Sequence, residues 1–215
     1  PAKDRNPISK KGYAGGYLFC PKAGKMDYLF DLDLTSLYPS IIMTINIGKE
    51  TYVGRIIDAD DRNNRLGYND LKCMDYAEEM VIENNKRQQT RVKIGRIVKM
   101  IEQNDLLISA NGVMYSKDRE SVLSTILKKW FDERVIYKNK MKTAYKAGNK
   151  ELGAAMHMKQ YTMKILLNSL YGATALGSFR YGNVILSESI TLSGQRIIQE
   201  SALAANREMN KEMKA

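Results

Sequence analysis

Asp33-Leu34-Thr35-Ser36-Leu37-Tyr38-Pro39-Ser40 is the stretch from which the rest of the chain can be ordered. Residues 26–34, just upstream, read as a strand, and the period of two puts Asp31 and Asp33 on one face. Thr35 and Ser36 then precede Pro39, which the first turn of a helix tolerates, and Ile41, Ile42, Met43 and Ile45 would bury that helix. Asp33 therefore ends a strand immediately before a helix start. A carboxylate there suits Mg²⁺, which wants hard oxygen ligands and keeps waters or substrate phosphates as the remainder. Asp31 shares the face but reads as a plain polar residue of an open surface.

Working outward, residues 1–12 are rich in Lys, Pro and Asn and read as a linker. Residues 13–34 hold short apolar runs broken by Gly15, Gly16, Pro21 and Gly24, a pattern of strands and turns. A further strand is expected over 51–57, a charged loop over 58–69, a helix-leaning mixed stretch over 70–105 and a short strand at 112–115. The second half is helical. Leu123, Ile126, Leu127, Trp130, Phe131 and Val135 make one apolar face over 121–147, closed by Gly148. Leu152, Met156, Met163, Leu167 and Leu170 make another over 150–171, so the two helices form an antiparallel hairpin. A last amphipathic helix covers 185–213. The fold class expected is α+β.

Composition narrows the function. The 215 residues carry 34 Lys and Arg against 24 Asp and Glu, a net charge of +10. Two cysteines far apart and a single histidine, His157, leave no Cys or His metal cluster and no disulfide framework. No segment approaches 18 consecutive apolar residues, so no membrane partner is expected and the setting reads as cytoplasmic. The charge is concentrated: residues 128–164 hold ten basic and three acidic groups, with aromatics interleaved.

Within that stretch, Arg134, Lys138 and Lys142 form a stripe at steps of four on the first hairpin helix. His157, Tyr161, Lys164, Asn168 and Tyr171 form a second at steps of four, three, four and three. Brought together, these cations and the amide would suit a triphosphate, Arg as a bidentate fork and Lys as a point charge. Spacing alone favours the plainer reading of two solvated basic faces.

The motifs themselves are more specific. Residues 33–40 resemble the first catalytic motif of family B DNA polymerases, and Lys164-Ile165-Leu166-Leu167-Asn168-Ser169-Leu170-Tyr171-Gly172 resembles the fingers motif of the same family. Arg134 and Lys138 match its other fingers helix, and Tyr13-Ala14-Gly15-Gly16 is similar to the element that precedes its palm. Residues 111–119 are similar to the T-even-like bacteriophage branch, whereas the short span from Arg134 to Lys164 is nearer the cellular and archaeal pattern. The resemblance implies a partial palm over 13–120, a fingers hairpin over 121–176 and a returning palm helix over 177–215. It implies that Asp33 and the carbonyl of Leu34 hold Mg²⁺, two ions in a complete site. Ser36 and Leu37 would meet the triphosphate, and Tyr38 would lie under the sugar and exclude a 2′-hydroxyl. Arg134, Lys138, Lys164 and Asn168 would clamp phosphates, Tyr171 and Gly172 would face the nascent base pair, and Tyr13, Gly15 and Gly16 would touch the template. His157 has no place in the pattern and reads as a hairpin-surface residue. The implied partners are primer–template DNA and deoxyribonucleoside triphosphates.

The sequence departs from the family in lacking the second carboxylate motif, the exonuclease motif and a thumb. The expectation is an incomplete part of a polymerase core, inactive alone, that works with the missing segments in cis or in trans. A non-catalytic basic nucleic-acid-binding module and a polymerase relic are the rival readings. The module accounts for the charge but not for Asp33 together with Ser36, Leu37, Tyr38, Pro39 and Ser40, whereas the relic is separable only by the sequence that follows.

Overall fold

The computed structural model describes residues 15–17, 24–25, 33–57 and 66–212. Most of the expected strand over 26–34 and most of the charged loop over 58–69 lie outside the described residues, as does Tyr13.

Helix α1 (Leu37–Ile45) is the centre of the molecule. Both residues that flank it are left-handed: Ser36 has φ 55° and Asn46 has φ 58°. Asn46 is suited to that conformation and uses it to tie two segments together. Its side-chain NH₂ donates to the carbonyls of Ser116 and Arg119, both at 2.8 Å. Its side-chain oxygen accepts the Ser121 N–H at 2.8 Å. Ser121 in turn caps α4 (Val122–Lys146), accepting the Ser124 N–H at 3.0 Å. The Ser121 and Ser124 hydroxyls donate back to the carbonyls of Ile47 and Ile42, each at 3.0 Å. The exit of α1 and the entry of α4 are thus one hydrogen-bonded joint.

The hairpin expected from periodicity is present. Helix α4 gives way to α5 (Lys150–Thr174) through Gly148, whose φ of 75° a side chain would strain. Asn149 caps α5 by accepting the Leu152 N–H at 3.0 Å. Two contacts set the register of the pair. Gly153 lies so close to Tyr145 that an added Cβ would sit 2.5 Å from the ring, and the Lys159 ammonium rests 5.7 Å from the Tyr137 centroid. That register brings Arg134 level with the turn of α5 that carries Lys164.

Helix α6 (Val184–Glu212) closes the helical layer, and Ile41, Ile42, Leu123, Leu127, Leu167 and Ile190 pack into one core around α1. Behind it stands an antiparallel sheet of β1 (Tyr52–Ile56), β2 (Glu79–Asn84), β3 (Gln89–Lys93), β4 (Leu107–Ile108) and β5 (Val113–Tyr115), in the order β3-β2-β1-β5-β4. Short α2 (Tyr68–Lys72) and α3 (Ile94–Gln103) cover a second core that includes Leu71, Ile97 and Met114. The fold is mixed α and β, as expected.

The stretch 70–105 corrects the helix-leaning expectation, because a β-hairpin occupies its middle. Its turn is built by the Asn84 side chain, which accepts the N–H groups of Lys86 and Gln88 at 2.9 and 3.0 Å while Arg87 takes a φ of 60°. An Asn that satisfies its own turn competes directly with helix formation.

A seam of hydroxyls docks α6 on the sheet. The Tyr115 hydroxyl donates to Ser189 at 2.9 Å, and the Ala110 N–H donates to Ser193 at 3.1 Å. Burial pushes the Tyr115 phenol well above its usual range, so it stays a donor throughout the physiological span. A second clip joins α6 to α2. Arg196 grips Asp70 with both Nη atoms, Nη2 at 3.0 Å, and the Gly67 N–H donates to the same carboxylate at 2.6 Å. Partial burial opposes ionisation of Asp70, but the hydrogen bonds from Arg196 and Gly67 outweigh it and hold the carboxyl below its usual value. The contribution is therefore complete above the ordinary aspartate pKa of about 3.9 and is lost as pH falls through the lower folded value. Asp70→Asn is expected to cost about 1–2 kcal/mol in urea unfolding at pH 7. The difference from the parent chain should shrink as pH falls through the lowered folded value.

Candidate active site

The first turn of α1 opens onto a pocket of about 440 Å³ lined by Leu34, Ser36, Leu37, Tyr38, Pro39, Asn168 and Tyr171. Three sequence regions meet there. Helix α1 supplies the floor, and α5 supplies Asn168 and Tyr171. Helix α4 contributes Arg134, whose Nη1 donates to the Ser36 hydroxyl at 3.3 Å. Tyr38 and Tyr171 pack with ring centroids 4.5 Å apart at 45°, an arrangement worth about 1 kcal/mol beyond its buried area.

Two features of this pocket differ from an ordinary helix N-terminus. Ser36 caps α1 in sequence position but makes no side-chain cap bond, and its left-handed backbone turns the hydroxyl to Arg134 instead. A serine at positive φ is a strained conformation that persists only where neighbours hold it, and such positions cluster at functional sites. In addition, the buried Nε of Arg134 has no hydrogen-bond partner. An incompletely paired guanidinium beside a helix start is an arrangement that favours an anion.

The structure gathers part of the expected set. Ser36, Leu37, Tyr38, Asn168 and Tyr171 share one pocket, and Arg134 reaches it through Ser36. Lys138 and Lys164 are exposed on α4 and α5 and do not line it. Asp33 is exposed, one residue before the pocket wall at Leu34. Gly172 faces open space, and so does Gly15. Gly16 lies over Tyr38: a Cβ there would sit 3.4 Å from the Tyr38 hydroxyl. His157 is exposed and stacks on Tyr161 with centroids 6.3 Å apart, in keeping with a hairpin-surface residue.

Sequence reasoning missed the contribution of α6. Gln195 donates its side-chain amide to the Gly15 carbonyl, and Gly194 leaves the space that the Tyr38 ring fills. An isolated glycine inside a helical pattern was the available signal, since it costs about 1 kcal/mol against alanine and usually has a packing reason.

Among the described residues no three His, Cys, Asp or Glu side chains stand together as a metal cluster. Asp33 and the Leu34 carbonyl are hard oxygen donors of the type Mg²⁺ takes. They fit a share of such a site, with further oxygen ligands required from elsewhere.

A family profile described as DNA polymerase family B matches residues 1–215. The chain belongs to DNA polymerase family B. It is 30% identical over 178 residues to the DNA polymerase zeta catalytic subunit of Saccharomyces cerevisiae, covering 80% of this chain and 10% of that protein. It is 25% identical, over an alignment 263 positions long with its gaps, to the DNA-directed DNA polymerase of Escherichia phage RB69, covering 97% of this chain and 26% of that protein. The chain thus spans no more than about a quarter of either family B relative. Among solved structures, the family B DNA polymerase of the hyperthermophilic archaeon Pyrobaculum calidifontis shares the fold with a TM-score of 0.54. That likeness covers 95% of this chain and 21% of the archaeal one at 18% identity. Among the described residues no helix is long and apolar enough to cross a membrane.

Proposed function

We propose that this chain is the nucleotide-binding part of a template-directed DNA polymerase core, which adds deoxyribonucleotides to a primer 3′ end by two-metal phosphoryl transfer. One observation carries the reading: Ser36, Leu37 and Tyr38 of one motif and Asn168 and Tyr171 of another, far apart in sequence, wall a single pocket beside Arg134. Its working division is palm over 13–120, fingers over 121–176 and returning palm over 177–215.

In this reading the triphosphate lies at the start of α1. Ser36 and Leu37 present donors to it, and Arg134 and Asn168 hold it from the fingers. Lys138 and Lys164, exposed one turn from those residues, swing onto the phosphates when the hairpin closes. Tyr38 lies under the sugar, and Tyr171 with Gly172 borders the new base pair. Gly15, Gly16 and Tyr13 lie along the template. Asp33 and the Leu34 carbonyl supply oxygen ligands for Mg²⁺. When bound, the two ions favour the primer alkoxide and neutralise the leaving pyrophosphate. The residues of this chain then contribute position and charge, which is most of what phosphoryl transfer requires.

A second carboxylate must join Asp33, and it comes from polymerase segments beyond those in this sequence, in cis or in trans. Mixing the chain with a polypeptide that carries that motif and a thumb is therefore expected to give primer extension, and the chain alone to give none. Extension by the lone chain would sink the claim of an incomplete core. The cellular setting that goes with this role is the cytoplasm, the host cytoplasm for a viral source.

A further inference from the structure

Tyr38 is held on three sides. Its ring packs against Tyr171 of α5 at 4.5 Å between centroids. Gly16 covers its hydroxyl, where a Cβ would stand at 3.4 Å. The third side is α6. A Cβ built on Gly194 would stand 2.9 Å from Tyr38 Cε1, 3.5 Å from Cδ1 and 3.4 Å from Ile41 Cδ1. The first distance is shorter than any ordinary carbon contact, so the ring occupies the space a side chain at position 194 would need.

The next residue of α6 builds the opposite wall. Gln195 donates its amide to the Gly15 carbonyl and so tethers the Gly15-Gly16 segment above the Tyr38 hydroxyl. One residue further, Arg196 is clamped to Asp70 and Glu200, which fixes this turn of α6 in place. Three consecutive residues therefore serve one purpose. Gly194 admits the ring, Gln195 closes over its hydroxyl, and Arg196 keeps the turn from yielding.

We infer that Gly194 is a specificity-determining positioning residue that sets how deeply the Tyr38 ring projects into the sugar side of the pocket, with Gln195 as its companion. This rests on the reading of Tyr38 as the group that faces the sugar. The ring cannot retreat past Ile41, whose own side chain is buried in the α1 core. A methyl at position 194 drives it toward Tyr171 and across the pocket. The correct nucleotide then loses most, because the ribonucleotide is already excluded.

The test is a mutant cycle in the complemented polymerase, read as the ratio of deoxyribonucleotide to ribonucleotide incorporation. Gly194→Ala is expected to lower that ratio about tenfold, the scale of a sub-ångström misplacement at a reacting centre. Gln195→Leu should lower it about fivefold, the worth of one hydrogen bond. Both effects should vanish when Tyr38→Ala is already present. A structural readout on the 215-residue chain runs in parallel. Gly194→Ala should lower Tm beside Tyr38 but raise it by about 3 °C in the Tyr38→Ala background, where only the gain in helix propensity remains.

A ratio that Gly194→Ala leaves unchanged, or changes equally in both backgrounds, overturns the inference while leaving the role of Tyr38 intact. An unchanged ratio in Tyr38→Ala alone overturns the gate reading and this inference with it. Should Gly194→Ala prevent folding, recovery of the fold in the double variant supports the contact, and continued failure refutes it.

Discussion

Tyr38→Ala is expected to lower the preference for deoxyribonucleotides over ribonucleotides by about a hundredfold, the range over which a shaped pocket discriminates a single added hydroxyl. The physical reason is the rigidity of the ring. Tyr38 stands between Tyr171, Gly194 and Gly16, so it cannot turn aside to admit a 2′-hydroxyl. Removing it opens that side of the pocket and also breaks the ring pair with Tyr171. Incorporation of the correct nucleotide should fall modestly, through KM, while ribonucleotide incorporation rises. Tyr38→Phe keeps the ring and should keep the selectivity. Primer extension with matched deoxyribonucleotide and ribonucleotide series in the complemented polymerase measures both quantities. Equal selectivity in the parent and Tyr38→Ala proteins would remove the sugar-facing role.

Arg134→Ala is the second large effect. The guanidinium is the cation that the structure ties directly to the pocket, through Ser36 at 3.3 Å, and its buried Nε has bonding capacity to spare. Two charge-assisted hydrogen bonds to phosphate oxygens, each worth about 1.5–2 kcal/mol, put the loss in nucleotide affinity near a hundredfold or more. Arg134→Lys should recover only a small part, because an ammonium supplies a point charge without the planar fork. The same substitution takes away the partner of Ser36, whose left-handed conformation then has less to hold it. Stability should fall along with binding, and Ser36→Gly in the Arg134→Ala background should restore stability without restoring affinity. Calorimetric titration alongside thermal melting separates the two.

How much of this was visible in the sequence follows from what each element depends on. Helices α1, α4, α5 and α6 are carried by long apolar periodicities and by local stops such as Gly148 and Asn149, all written in adjacent residues. The β2–β3 hairpin was hidden because its turn rests on Asn84 bonding two N–H groups of its own loop, a local choice that overrides a mixed, polar pattern. Ser36 reads as an ordinary N-cap from sequence, since serine is favoured there in an extended conformation. Its left-handed backbone goes with a hydroxyl that meets Arg134, 98 positions away. Gly194 and Gln195 act on residues that precede them by more than 150 positions, so no window of sequence holds the contact. The motif residues of α1 and α5 were legible individually. That they share one pocket, with Lys138 and Lys164 left outside it, required the structure.

The central claim is that residues from three separate helices form one triphosphate site dependent on a divalent ion. Calorimetric titration of the 215-residue chain with a deoxyribonucleoside triphosphate, with and without Mg²⁺, tests it most directly. The expected result is binding that requires Mg²⁺ and weakens about tenfold or more in both Asp33→Ala and Lys164→Ala, each of which removes a charge that the proposed closed site brings to the metal or the phosphates. It would be contradicted by a chain that ignores the nucleotide yet binds DNA in a steeply salt-dependent manner indifferent to Asp33.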